Sequence, residues 1–198
     1  MKKRIALVSG LLGAIVLAFA GVATAANAPG SVSCSGNSLA GTTIASNVNV
    51  PAGATCDLSW SDVKGNVSVS GSLINYGATT FEKNVAVNPG GSFIASNWGV
   101  TISGNLSYLN PATYSYNGFF GNYGFGPGDA YGHYNVVKGN LTYTITSDTA
   151  YPDYQSPLLY FGGGTTVGGN FTYSDHGIGF PGHLDQGGLK VVGSTNIS

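Results

Sequence analysis

Short alternations of apolar and polar residues recur along the chain, and they recur with the same four-residue signature. Asn47-Val48-Asn49-Val50 returns as Asn66-Val67-Ser68-Val69 and as Asn84-Val85-Ala86-Val87. It continues as Asn105-Leu106-Ser107-Tyr108, Asn140-Leu141-Thr142-Tyr143 and Asn170-Phe171-Thr172-Tyr173. Period-two alternation within each predicts a strand with one buried face, Val67 and Val69 inward, Ser68 and Ser70 outward. Successive Asn residues lie 19, 18 and 21 positions apart at first, then 35 and 30. The longer spacings read as one coil plus an insertion.

A second pattern accompanies the first. Val50-Pro51-Ala52-Gly53-Ala54-Thr55-Cys56 matches Val87-Asn88-Pro89-Gly90-Gly91-Ser92-Phe93, so each coil reads as strand, Gly turn, strand. Strands this short cannot bury a face alone. A repeat of this length is satisfied when coil stacks on coil and the inward residues form one continuous core. The predicted fold is therefore all-β, a single parallel β-helix (β-solenoid) with coils of about 18–21 residues and two loop insertions. An antiparallel sandwich also has many short strands and Gly turns, but it does not need one tetrapeptide in every strand. Val67, Val69, Val85, Val87, Val100, Ile102, Leu106, Leu141 and Phe171 are the expected core. Gly precedes the Asn at Gly65, Gly104, Gly139 and Gly169, which predicts a corner of left-handed backbone. Asn in register on successive coils also predicts a hydrogen-bonded ladder. The glycosylation-like Asn-x-Ser/Thr matches at Asn66, Asn105, Asn140 and Asn170 all fall on this step, so the repeat accounts for them.

Composition adds a compartment. The N-terminus is basic at Lys2, Lys3 and Arg4, apolar from Ile5 to Ala20, and ends in Ala23-Thr24-Ala25. That order predicts a signal peptide over 1–25 and a β-solenoid domain over 26–198. No later run is apolar enough to span a bilayer, so no membrane span is expected after cleavage. After cleavage four lysines face eight acids, a formal charge of −4, and no arginine remains. Nucleic acid is thereby an unexpected partner, since phosphate binding needs a basic stripe. Cys34 and Cys56 are the only cysteines. An even count in an exported chain predicts a disulfide, and Cys56 aligns with the inward Phe93, about one coil after Cys34. Two separate buried thiols are the alternative.

The Gly-Asn-(Val/Leu)-(Ser/Thr)-(Val/Tyr) repeat behind a signal peptide, with Cys34-Ser35-Gly36 and a second Cys a coil later, resembles a group of uncharacterised secreted bacterial β-helix proteins. It is also loosely similar to bactofilins, which are β-helical polymers but are cytoplasmic and lack a signal peptide. The resemblance covers most of 32–108 and recurs in pieces to 173. It implies a β-helix and brings no activity with it.

Two stretches depart from the repeat, near 109–135 and 146–166. The first carries Tyr114, Tyr116, Phe119, Phe120, Tyr123 and Tyr131, candidate ligand-binding residues because aromatic faces stack on sugar rings or pack on a partner. A loop folded back over the solenoid, covering it with its own aromatics, is the plainer reading. The second carries Tyr151, Tyr154, Tyr160 and Phe161. The two loops are expected on neighbouring coils, side by side. Asp175, His176, His183 and Asp185 cluster in sequence, but their spacing fits no standard zinc pattern, so no metal or cofactor is assigned. Paired carboxylates for glycoside hydrolysis are not matched coil to coil, and no nucleophile–base pairing stands out. No catalytic residue is assigned. The expected function is a secreted or cell-surface structural or adhesive solenoid without catalytic activity. A carbohydrate-binding module using the aromatic loops is one alternative, and a polysaccharide lyase or hydrolase is another. A cell-surface polysaccharide or another surface protein is the partner these readings call for.

Overall fold

A computed structural model describes residues 30–96, 99–112, 116–120, 135–146, 150–151, 158–161, 164–176, 178–179, 183–185 and 188–198. The segment read as a signal peptide, 1–25, lies outside the described residues. The chain winds as a stack of coils, each full coil laying one strand into each of three parallel sheets. The first coil has β1 (Ser31–Ser33) and β2 (Thr43–Ile44), with Ser38 bridging to Asp57 between them. Then come β3 (Asn47–Val50), β4 (Thr55–Asp57) and β5 (Asp62–Val63), followed by β6 (Val67–Val69), β7 (Ser72–Asn75) and β8 (Thr79–Phe81). The next coils are β9 (Val85–Val87), β10 (Ser92–Ser96) and β11 (Val100–Ile102), then β12 (Leu106–Leu109), β13 (Tyr116–Phe120) and β14 (Asn135–Val137). The fifth full coil contains β15 (Leu141–Ile145), β16 (Ala150–Tyr151), β17 (Leu158–Phe161) and β18 (Thr165–Val167). The sixth has β19 (Phe171–Asp175), β20 (Ile178–Gly179), β21 (His183–Asp185) and β22 (Leu189–Val191), and β23 (Thr195–Ile197) closes the first sheet. There is no helix among the described residues.

The tetrapeptide repeat is the first sheet, β1-β3-β6-β9-β12-β15-β19-β23. Its register stacks Val48, Val67, Val85, Leu106, Leu141 and Phe171 in one inward column. Val50, Val69, Val87, Tyr108, Tyr143 and Tyr173 form the second. All nine expected core residues are buried. The columns trade volume between walls, as close packing of a tube of constant bore requires. Where the first sheet supplies Val69 and Val87, the other walls supply Phe81 and Phe93, edge to face at 6.0 Å. Where it supplies Tyr108 and Tyr143, the third wall narrows to Ile102 and Val137.

The Asn ladder is present, and its recurring bond runs from a backbone N–H to the side-chain oxygen of the Asn one coil below. The N–H of Asn66 donates to Oδ1 of Asn47 at 2.9 Å, and the same link repeats from Asn84 to Asn66, Asn105 to Asn84, Asn140 to Asn105 and Asn170 to Asn140. Ser194 ends the ladder, donating its N–H and hydroxyl to Asn170. The left-handed corner expected at the Gly-Asn step is corrected: Gly65, Gly104, Gly139 and Gly169 do not have positive φ. They are glycine because the previous coil passes too close. A Cβ on Gly139 would lie 2.5 Å from Asn105 Oδ1 and 2.6 Å from the Gly104 carbonyl oxygen. Gly139→Ala should therefore lose about 1–3 kcal/mol in urea unfolding. Adding Asn105→Ala should recover only part of that, because the Gly104 carbonyl stays.

The insertions also differ from expectation. Residues 116–120 are not loop: β13 pairs with β10 and β17 in the second sheet, β4-β7-β10-β13-β17-β21. Within the expected 146–166 insertion, β17 and the start of β18 likewise belong to the walls, and Phe161 is fully buried, edge to face with Phe171. What exceeds the simple coil is 121–134, joining the second sheet to the third (β2-β5-β8-β11-β14-β18-β22), and 146–157, joining the first to the second. The two expected insertions thus depart from different corners of the coil. The stretch 146–157 instead has its counterpart in the coil above, where β16 pairs with β20.

Candidate functional site

The described surface has one corner where large aromatics are presented on a rigid base. It is the turn from the second sheet to the third on the two coils after the first. There β4 and β5 are joined by 58–61, and β7 and β8 by 76–78. Trp60 and Tyr76 project from these turns, 55% and 53% exposed. The flanks of Trp60 are the reverse: Ser59 and Ser61 are both buried. Ser59 donates its N–H and hydroxyl to Asp57 Oδ1, and its Oγ accepts the Tyr76 N–H at 2.8 Å. Ser61 donates to the Leu39 carbonyl at 2.8 Å. Buried Thr79 donates to the Leu58 carbonyl at 2.8 Å, and buried Asn75 accepts the Gly77 N–H at 3.0 Å. These bonds lock neighbouring coils together beneath the two rings.

The backbone shows the effect. Trp60 has φ 61°, a left-handed conformation that a bulky residue adopts only at a cost in strain. Asp57 is level with Ile74, so three residues on Trp60 is level with Gly77. A Cβ on Gly77 would lie 2.5 Å from the indole. Gly77 thus leaves the space that the ring occupies.

Other polar clusters build less. Lys64 lies 2.6 Å from Asp62 and also pairs with Glu82 one coil up. Its hydrogen bonds to Asp62 and then Glu82 raise its pKa above the ordinary lysine value. The group is exposed, so it contributes little to stability. Ser174 Oγ on β19 and His176 Nε2, just beyond that strand, are 2.8 Å apart at the surface. His183 and Asp185 lie on β21, in the second sheet, so the cluster read from sequence is divided between two walls. No group of three or more metal-ligating side chains occurs among the described residues.

Of the aromatic candidates, Tyr116, Phe119 and Phe120 sit on β13, a strand of the wall. Register puts Phe119 in the column of Ala95 and Phe161, both buried. Tyr114, Tyr123 and Tyr131 lie outside the described residues. Sequence reading missed Trp60 and Tyr76, which are separated by only 16 positions and belong to turns without the repeat motif. The available signal was Ser-Trp-Ser followed one coil later by Asn-Tyr-Gly, each aromatic held between small or polar residues.

Cys34 and Cys56 are joined in a disulfide, Cα atoms 5.6 Å apart, both sulfurs buried at the first-coil end of the core. No helix among the described residues is long and apolar enough to cross a membrane. No protein-family model, curated protein or solved structure matches the chain.

Proposed function

We propose that the chain is exported, cut after Ala25, and works outside the cytoplasm as a non-catalytic structural or adhesive solenoid at the cell surface. The observation that carries this reading is the buried Cys34–Cys56 bridge between the first coil and the next. Such bridges form and persist in oxidising compartments. The wall supports the structural role. Its first sheet runs unbroken through eight strands, its hydrogen-bond ladder continues from coil to coil, and its outward column is Asn49, Ser68, Ala86, Ser107, Thr142 and Thr172. A stiff rod with a small, uncharged outer face suits a spacer or an adhesive surface more than a catalyst. A surface polysaccharide or a second surface protein is the partner class.

Cell fractionation followed by intact mass spectrometry tests the reading. The expected product begins at Ala26, is recovered outside the cytoplasm and lacks two hydrogens relative to the dithiol. A cytoplasmic protein with an uncut N-terminus and free thiols would overturn it. In the exported protein, replacing both cysteines by serine should cost about 3 kcal/mol, the loop-closure value for a bridge of this span.

A further inference from the structure

We infer that Trp60 and Tyr76 form a stacking platform for a neutral polysaccharide, its sugar rings lying along the solenoid axis against the second-to-third-sheet corner. The inference goes beyond the proposed role in naming what the surface holds and where.

Four observations lead there. Two aromatic rings are offered to solvent on successive coils, more than half exposed in each case. Successive coils of a parallel β-structure lie about 4.8 Å apart, so the rings form a short track along the axis rather than a single spot. The track is rigid: Ser59, Ser61, Asn75 and Thr79 beneath it are buried and hydrogen-bonded within and between coils. Trp60 keeps its ring there in a left-handed backbone conformation, with the indole laid over Gly77 of the next coil. Strain retained at an exposed aromatic points to use of that ring.

The chemistry of the ligand follows from the surroundings. The exposed neighbours on the second of these coils are Ala78 and Thr80, small and uncharged. They do not form the apolar collar of a protein interface, and a two-ring track is far smaller than the roughly 800 Å² per partner that a stable protein complex buries. The flanking formal charges nearest in sequence are Asp57, Asp62 and Lys64, the last paired with Asp62, so the corner offers no excess positive charge to hold a polyanion. An uncharged sugar with equatorial hydroxyls presents a flat C–H face to an aromatic ring and keeps its hydroxyls in water. That pairing suits an exposed track with no deep pocket.

The test uses the full chain, exported and purified with its disulfide intact, and insoluble cellulose and chitin as probes, with alginate as the polyanion. Retention is expected on cellulose or chitin, and little on alginate. Trp60→Gly should weaken that retention at least about tenfold, as should Tyr76→Ala, the loss of one ring contact. Trp60→Gly is the informative variant because glycine accepts the left-handed backbone without strain, so its melting temperature should equal or exceed that of the parent. A second readout uses Trp98→Phe, which leaves Trp60 as the one tryptophan. Cellohexaose or chitohexaose should shift its emission saturably. Retention on neither neutral polysaccharide, retention on alginate alone, or equal retention by the variants would overturn the inference. So would a Trp60→Gly protein melting well below the parent, because the indole would then be a structural cover. None of these results bears on export or the disulfide, which fail or stand by fractionation and mass.

Discussion

Val85→Asp should leave the protein without a stable fold at neutral pH. Val85 is fully buried on β9, level with Val67 below and Leu106 above. A carboxyl placed there has no polar partner in the column, so it stays neutral, its pKa raised by roughly 3–5 units as for other fully buried acids. Holding it neutral at pH 7 costs about 4 kcal/mol, 1.36 kcal/mol for each of the roughly three units between its unfolded pKa and pH 7, and burying the neutral carboxyl without a hydrogen-bond partner adds to that. Total stability for a domain is about 5–15 kcal/mol. The sign of the pH dependence follows. The folded-state pKa lies above the unfolded value of about 3.9, so the penalty is absent below that pH and grows as pH rises towards the folded pKa. Denaturant unfolding should therefore show the variant closest to the parent near pH 4 and failing by pH 7. Ala86→Asp is the control. It is the next residue on the same strand, in the outward column between Ser68 and Ser107, and should change stability by no more than about 0.5 kcal/mol. Equal losses in the two variants would mean that the alternation does not define an inside.

The residues that made the fold legible are those with a local reason to repeat. Asn47 and its successors are bound coil to coil by the same atom, and at Gly65, Gly104, Gly139 and Gly169 the glycine before them is required by a close approach of the coil beneath. That constraint wrote itself into the sequence as a tetrapeptide. Among the described residues the second and third walls show no equivalent ladder, so their strands tolerate wide variation in what they turn inward. Column mates in the second wall include Cys56, Leu73 and Phe93, then Asn75 and Ala95. A segment such as 116–120, with Gly118 at its centre and aromatic neighbours, then reads as loop although its backbone pairs on both sides. The aromatic corner was hidden for a related reason. Turns between walls vary in length, so Trp60 and Tyr76 share no phase that a repeat search would detect. Their relation appears only when register aligns Trp60 with Gly77.

The three-tyrosine column gives the other large effect. Tyr108, Tyr143 and Tyr173 occupy one inward position on β12, β15 and β19. The rings of Tyr143 and Tyr173 stack with centroids 5.3 Å apart and planes 9° from parallel, and Tyr108 lies 5.4 Å from Tyr143 at a tilt. Tyr143 is the shared member and is fully buried. Tyr143→Ala removes a ring from both interfaces, for a loss of about 3–5 kcal/mol including the cavity. The third wall cannot collapse into the space, because at this level it already presents Val137 and Val167 on hydrogen-bonded strands. Tyr173→Ala should cost less. It lies on the last full coil, is slightly exposed, and its column neighbour above is the half-exposed Ile197. The larger loss should also be unevenly placed. In a solenoid each coil depends chiefly on its neighbours, so weakening both faces of one coil uncouples what lies beyond it. Hydrogen exchange on Tyr143→Ala should show amides of β15, β18 and β19 losing protection at denaturant concentrations where β3, β6 and β9, beside the disulfide, retain theirs. A uniform loss of protection along the whole chain would mean that the coils unfold as one unit and that nearest-neighbour coupling is the wrong description of this rod.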